Sequence, residues 1–400
     1  PADGARVGKD IAFSTHVLVD TTLALDDMVC ADMERLKPDC IVADSMAVWG
    51  KAVARKLGVP FVSSTTTFAF NRYSAKIMKQ DGGLIKMLLA MPKINRDLKR
   101  LRDKGYPIHN ILDILQNDDA TDTLVYTSPE FQPCSETFSD RYAFVGPIVR
   151  ETEETVEKTR ETLVYISMGT VNNDLLPLYR ACVGAFRDGK HQVILSAGEQ
   201  VDLAALGELP ENVAVYPRVD QIAVLEKADV FVSHCGMNSA SESLYFGVPL
   251  VLLPQTAEQG GVAERVFQLG AGIRPAAQDA SGIRAAVERV LMDRNYRESA
   301  ERIRDGFRRC GAFRSGWALR SGSAARRAFA ACCVSCRRAR SQERSATRSE
   351  GRPCWREPKK SPGPRSLRSS SAMTKPSLVE DMTRRRALFS SPLLSETRTQ

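Results

Sequence analysis

With 400 residues, 43% of them apolar, the chain is long enough for two globular domains, yet no apolar run approaches the ~20 residues of a membrane-spanning helix. The formal charge of +8 does not argue for nucleic-acid binding: residues 312 to 400 carry 20 Lys and Arg against 6 Asp and Glu, leaving 36 against 42 for residues 1 to 311, a mildly acidic globular part. Six of the ten cysteines (Cys30, Cys40, Cys134, Cys182, Cys235, Cys310) are scattered through that part without metal-ligand spacing, which reads as reduced thiols of a cytoplasmic protein.

The first residues, PADGARVGKD, carry no Met and no signal-peptide pattern, so the chain reads as a fragment. Residues 1 to 21 show no clear period; AFSTHVLVD fits a short strand or a short helix, and His16, alone there, reads as structural. Residues 22 to 36 have rough helical spacing in Leu23, Leu25, Met28, Met33 and Leu36, and Lys37-Pro38-Asp39 predicts a turn into the strand Cys40 to Ala43. That strand ends at Asp44, where open α/β sheets place their chemistry; Asp44 equally suits a cap for the helix that runs to Leu57-Gly58. With the strand Val59 to Val62 this makes a βαβ unit.

Residues 68 to 118 read as a mostly helical insertion whose Leu84, Met87, Leu88 and Met91 fit a core face, with His109 solvated in the following loop. Asp118, Asp119 and Asp122 lack the spacing of a metal-binding D-x-D pair and read as a polar turn. A strand from Thr123 to Ser128 and the segment Phe144 to Pro147 close a first domain, residues 1 to 148. The charged run RETEETVEKTRE, residues 150 to 161, predicts an interdomain linker over residues 149 to 161.

Residues 162 to 311 predict a second domain. The strand Leu163 to Ser167 runs into the turn Met168-Gly169-Thr170, a place where phosphates dock, and strands at His191 to Ser196 and Val213 to Tyr216 follow, His191 reading as structural. The alternation predicts the α/β class, with two doubly wound parallel sheets. The most informative stretch is DVFVSHCGMNSASESLYFGVPLVLLPQTAEQGGVAER, Asp229 to Arg265. A strand enters the tight turn His234-Cys235-Gly236 and then a helix, whose N–H groups, with His234 and Ser239 as side-chain donors and Gly236 admitting close backbone approach, make an anion site. Asn238 and Glu242 lie four apart on one helix face, so a carboxylate stands a turn behind the anion, where a ribose would present its hydroxyls. A second strand ends at Pro254 before the polar loop Gln255 to Gln259, suited to a sugar, and the combination reads as a nucleotide-sugar site. After helices at Ile283 to Met292 and Tyr296 to Phe307, the sequence from Ala312 turns Arg-, Ser- and Ala-rich without period. It reads either as a basic disordered arm or as a shifted reading frame beyond Cys310-Gly311, and its Cys332 to Cys336 run lacks the companion pair of a metal site.

The run H-C-G-M-N-S-x-x-E-x-x-x-x-G-V-P followed by Glu258-Gln259 resembles the donor-binding signature of the UDP-glycosyltransferases, in particular their bacterial macrolide-glycosyltransferase-like branch. The resemblance covers residues 23 to 311 and implies a GT-B fold of two Rossmann-like domains, the first incomplete. It implies that His234, Asn238 and Ser239 hold the diphosphate beside Gly236, that Thr170 faces it from the other turn, that Glu242 takes the ribose hydroxyls, and that Glu258 with Gln259 takes the sugar. Where the family has an aromatic-x-Pro-Gln motif, this chain has Arg218-Val219-Asp220-Gln221; a guanidinium plane can also stack on a base, so Arg218 and Gln221 stay in the donor site while base preference is left open. Asp44 matches the Asp that orients a catalytic His in the family, but none of His16, His109, His191 or His234 stands in the family's H-x-x-P-like context, so this chain is expected to transfer sugar poorly or not at all. The implied reaction is inverting transfer of a hexose from a UDP-sugar to a hydroxyl of a small hydrophobic acceptor, with no metal, no cofactor beyond the UDP-sugar co-substrate, no nucleic-acid partner and no membrane span. Two alternatives on the same architecture are a UDP-sugar 2-epimerase and an inactive nucleotide-sugar-binding remnant; incubation with UDP-N-acetylglucosamine alone separates the first.

Overall fold

The computed structural model describes residues 10–71, 73–74, 83–108, 110, 113, 121–169, 175–199 and 201–310, with the backbone path alone for residues 11 and 83–89. Thr170, His109, Asp118 and Asp119, the side chains of Leu84, Met87 and Leu88, and the segment beyond Cys310 with its cysteine run therefore lie outside the described residues.

The first half opens on one long helix, α1 (Ile11–Leu36), capped by Asp10, whose carboxylate accepts from the Phe13 N–H at 3.1 Å. The sequence breaks this segment at residue 21, and the structure does not. Its inward stripe is Thr15, Val19, Thr22 and Asp26, spaced four, three and four apart and each 3% exposed or less. Three of those four are polar, so hydrophobic periodicity cannot reveal the helix. The buried Asp26 is satisfied by the Tyr106 hydroxyl at 2.5 Å, the Lys56 ammonium at 2.8 Å and the Cys30 thiol at 3.2 Å. Burial alone would raise this carboxyl; those three donors bring it below the ordinary value.

Strand β1 (Ile41–Asp44), helix α2 (Val48–Leu57) and strand β2 (Phe61–Thr65) form the expected βαβ unit, α2 ending at Gly58 with a φ of 67°. After α3 (Gly83–Asp103) come β3 (Asp122–Val125) and β4 (Tyr142–Phe144), giving a four-stranded parallel sheet in the order β1-β2-β3-β4. Asp122 heads β3 with its carboxylate on Arg141 at 3.3 Å.

The second half holds β5 (Leu163–Ser167), α4 (Leu176–Gly184), β6 (Gln192–Ser196), β7 (Val213–Tyr216), α5 (Gln221–Leu225), β8 (Val230–Ser233), α6 (Met237–Tyr245), β9 (Leu250–Leu252), α7 (Ala257–Gln268), β10 (Gly272–Ile273), α8 (Ala280–Met292) and α9 (Arg294–Cys310). Its six parallel strands run β10-β9-β8-β5-β6-β7, with β5, β8 and β9 fully buried. The chain winds outward from β5 to β7, returns to β5's other edge as β8 and winds the opposite way. The strand order thus reverses between β5 and β8, which opens a crevice at their C-terminal ends. His191 is structural, as expected: buried, it meets the Thr162 hydroxyl through Nδ1 and Glu288 through Nε2 at 3.0 Å.

The charged segment 149–161 is no free tether. Arg150 meets Asp220 at 2.5 Å, Lys158 meets Asp229 at 2.6 Å, the Thr159 N–H donates to Gln192 at 2.7 Å, and Val156 packs on the second half's core. Its polar residues find partners on the surface they cross, a pairing that composition cannot show.

Candidate donor and acceptor sites

Two turns meet at the crevice: Ser167-Met168-Gly169 after β5 and Ser233 to Gly236 after β8. Helix α6 starts at Gly236, which supplies no side-chain cap, so its first N–H groups stay available to an anion. The residue in the left-handed region is Cys235, with φ 63°, and not Gly236, with φ −59°. Gly236 is required for a different reason from the one the sequence suggests. A Cβ there would stand 2.6 Å from His234 Nε2, and one on Gly169 would stand 2.8 Å from the same atom, so the imidazole edge lies in a cradle between the two glycines. The ring is 8% exposed, and its buried Nδ1 has no hydrogen-bond partner of good geometry among the described residues. Burial pushes its pKa below the ordinary imidazole value, with the Ser167 backbone opposing in part, which favours a neutral ring. Burial likewise pushes the Cys235 thiol up to about 12, leaving it inert.

Around this cradle the sequence candidates sort as follows. Asn238 is exposed on the first turn of α6, and Ser239, half-buried, accepts from Gln221 Nε2 at 3.4 Å. Gln221 donates to Glu242 at 2.5 Å through that same nitrogen, while its Oε1 accepts from the Tyr165 hydroxyl at 3.1 Å; the Glu242 carboxylate, which only accepts, sets which way the amide faces. Burial raises the Glu242 carboxyl above its ordinary value; the nearby Asp220 raises it further, and Gln221 and Arg150 oppose. Arg218 is exposed beyond β7, and Glu258 is exposed at the first turn of α7. Gln259 serves a capping box there: its Oε1 accepts from Gln255 N–H at 2.8 Å and Thr256 N–H at 3.2 Å, and its own N–H bonds Thr256 Oγ1. Only its amide NH2 is left for a ligand. The Thr170 position lies outside the described residues.

In the first half, Asp44 ends β1 with Oδ1 accepting from the Met46 N–H at 2.9 Å and Oδ2 from Thr66 Oγ1 at 3.1 Å. The next residues, Ser45 and Met46, enter a mainly apolar cleft whose other walls include Leu18, Val48, Phe68 and Tyr142. His16 is engaged elsewhere, between Asp97 at 3.1 Å and Asp20 at 3.2 Å. Thr66, Tyr165 and the Arg150–Asp220 pair escape sequence reasoning, since each matters only through a partner distant in the chain; only Asp220, one residue before a helix, carries an N-cap signal.

The halves are joined through α7 and α9. Arg265 of α7 donates to the carbonyls of Phe131 at 2.9 Å, Glu130 at 2.8 Å and Gln132 at 3.4 Å, and Arg309 of α9 meets the Glu130 carboxylate at 2.7 Å. Phe131 lies between Phe68 and Phe307, ring centroids 5.3 and 5.6 Å apart.

Residues 182–308 match the family profile described as the C-terminal domain of erythromycin biosynthesis protein CIII-like proteins. Over 285 residues the chain is 33% identical to a Bacillus subtilis (strain 168) protein named as an uncharacterized UDP-glucosyltransferase, YojK, covering 68% of this chain and 70% of that one. It is 30% identical over 302 residues to the demethyllactenocin mycarosyltransferase of Streptomyces fradiae, covering 74% of this chain and 65% of that one. Among solved structures, the glycotransferase of kitacinnamycin superposes with a TM-score of 0.67 at 28% identity, over 76% of this chain and 80% of its own.

Proposed function

The chain belongs to the macrolide-type UDP-glycosyltransferases of GT-B fold, and from that premise we propose that it moves a hexose from a UDP-sugar to a hydroxyl of a small hydrophobic acceptor. The observation that carries this reading is the crevice between β5 and β8. There an uncapped helix N-terminus and a neutral, glycine-cradled His234 face the place of a diphosphate, with the Gln221-held Glu242 one turn behind for the ribose. The acceptor hydroxyl attacks the anomeric carbon and gives up its proton to water, while the carbon's bond to the diphosphate oxygen breaks, which inverts that centre and releases UDP. Charge developing on the leaving diphosphate is met by the α6 N–H groups, His234, Asn238 and Ser239, which supply the stabilisation that a metal ion gives in other transferases. The uracil lies over Arg218, and the hexose meets Glu258 and the amide NH2 of Gln259. The acceptor occupies the apolar cleft beside Asp44, the carboxylate assigned to the acceptor side.

Isothermal titration with UDP tests the donor half, and incubation with UDP-glucose and a panel of phenolic and macrolide hydroxyl acceptors tests transfer. UDP affinity that is unchanged in both His234→Ala and Glu242→Ala rejects this placement of the donor.

A further inference from the structure

At the position where the family pattern has proline, this chain has Asp220, and the structure gives that carboxylate a role no proline can fill. Oδ1 caps α5 by accepting from the N–H groups of Ile222 at 3.0 Å and Ala223 at 3.2 Å, and it also takes the Arg150 guanidinium at 2.5 Å. Oδ2 takes the Thr152 hydroxyl at 2.6 Å. The next residue, Gln221, grips Glu242. A strap from the segment between the two halves is therefore fastened, through one carboxylate and one amide, to the carboxylate assigned to the ribose.

We propose that Arg150 and Thr152 are positioning residues for the contact of Glu242 with the ribose hydroxyls of the donor. The inference rests on the donor site proposed above. Its physical basis is the order of charges along the strap. Asp220 and Glu242 are two carboxylates on neighbouring elements, and a like-charged pair resists simultaneous ionisation. Arg150, held on Asp220, offsets that repulsion, and with Thr152 and the helix N–H groups it overcomes the burial that would raise Asp220, whose carboxyl lies at about 2. Glu242, half-buried, is raised by burial and by Asp220 and lowered by Gln221 and Arg150. Without the clamp, Asp220 keeps its charge and its two N–H bonds to α5 but loses the guanidinium and hydroxyl that fix the cap from outside, so the Gln221 amide holds the Glu242 carboxylate less strictly in one orientation.

The test is equilibrium binding, on the full chain, of UDP and of the UDP analogue that lacks both ribose hydroxyls. The unmodified protein should prefer UDP by roughly tenfold or more, the scale of hydrogen bonds to a charged group. Arg150→Ala should cut that preference to about threefold or less, because only the contact with the hydroxyls is lost. Arg150→Lys, which keeps the charge, should retain most of the preference. Thr152→Val removes one hydroxyl and leaves the ion pair, so it gives the same readout, with a smaller loss, if Arg150→Ala does not fold. Variants that bind both ligands more weakly by one factor, with the ratio intact, overturn the proposal and leave the clamp a purely structural tie. Unmodified protein that binds UDP without preferring it over the analogue removes the ribose role of Glu242, and the inference with it. Protein that binds neither ligand rejects the donor site itself.

Discussion

His234 is held in place by being short of room. Its edge is walled by two glycine backbones, so its orientation needs no hydrogen bond to hold it. His234→Ala should weaken UDP by about 1.5–3 kcal/mol, the worth of a donor to a charged group, as read by titration calorimetry. Gly236→Ala should do nearly as much while keeping the histidine, because the new Cβ forces the imidazole out of its cradle. Glu242 gives the opposite kind of prediction. Its folded-state pKa is raised by burial, so any stabilisation from its titration is fully present below the unfolded value and lost as pH rises through the folded one. At neutral pH the protein carries a half-buried charge that Gln would not. Glu242→Gln should therefore raise the apo melting temperature at pH 7 by roughly 2 °C, with the gain vanishing as pH falls toward the carboxyl's own titration, while it weakens UDP. A melting temperature that is unchanged or lower at pH 7 contradicts this account.

Among the elements, α7 has two jobs at its two ends. Its first turn carries Glu258 and Gln259 toward the proposed sugar position, and its third turn sends Arg265 into three successive carbonyls of the first half. Burial depresses the Arg265 pKa, with the nearby Cys134 and Glu136 opposing in part, and its described hydrogen bonds all run to backbone carbonyls. Gln132, whose carbonyl is one of them, also bonds both the N–H and the carbonyl of Ala69 in the cleft wall, at 3.0 and 2.9 Å. Arg265→Ala should cost about 1–3 kcal/mol of stability by denaturant unfolding, and Arg265→Lys should restore little of it, since one ammonium cannot serve a fork of carbonyls. Equal stability of the lysine variant and the parent would show that charge, and not the fork, matters.

For the whole molecule, α9 is the tie: Phe307 meets Phe131 edge to face, and Arg309 reaches Glu130. Phe307→Ala should destabilise by about 3–5 kcal/mol and raise hydrogen exchange in both halves together, whereas separate melting of the halves would deny the tie. At this scale the local parts of the molecule were legible in the sequence and the non-local parts were not. The His234 turn, the Glu242 spacing and the βα alternation are each decided within a dozen residues, so their pattern survives in the linear text. The unbroken course of α1 was hidden because Thr15, Thr22 and Asp26 occupy its buried stripe, and the strap was hidden because Arg150 and Asp220 stand 70 residues apart.

The strand order has a consequence for synthesis on the ribosome. The growing chain can pair β5 with β6 and β6 with β7 as they emerge, but the other side of β5 waits for β8, whose Asp229 neighbour bonds back to Leu163 across 66 residues. Until then the middle of the future sheet is an open edge of Leu, Val, Tyr and Ile, the kind of surface that recruits stray strands and chaperones. The two turns of the crevice between β5 and β8 come together only in that late step. Ribosome-stalled chains of increasing length should accordingly gain UDP-dependent protease resistance abruptly, once α6 has cleared the exit tunnel, and a gradual gain beginning with β7 would mean that β8 is not the closing strand.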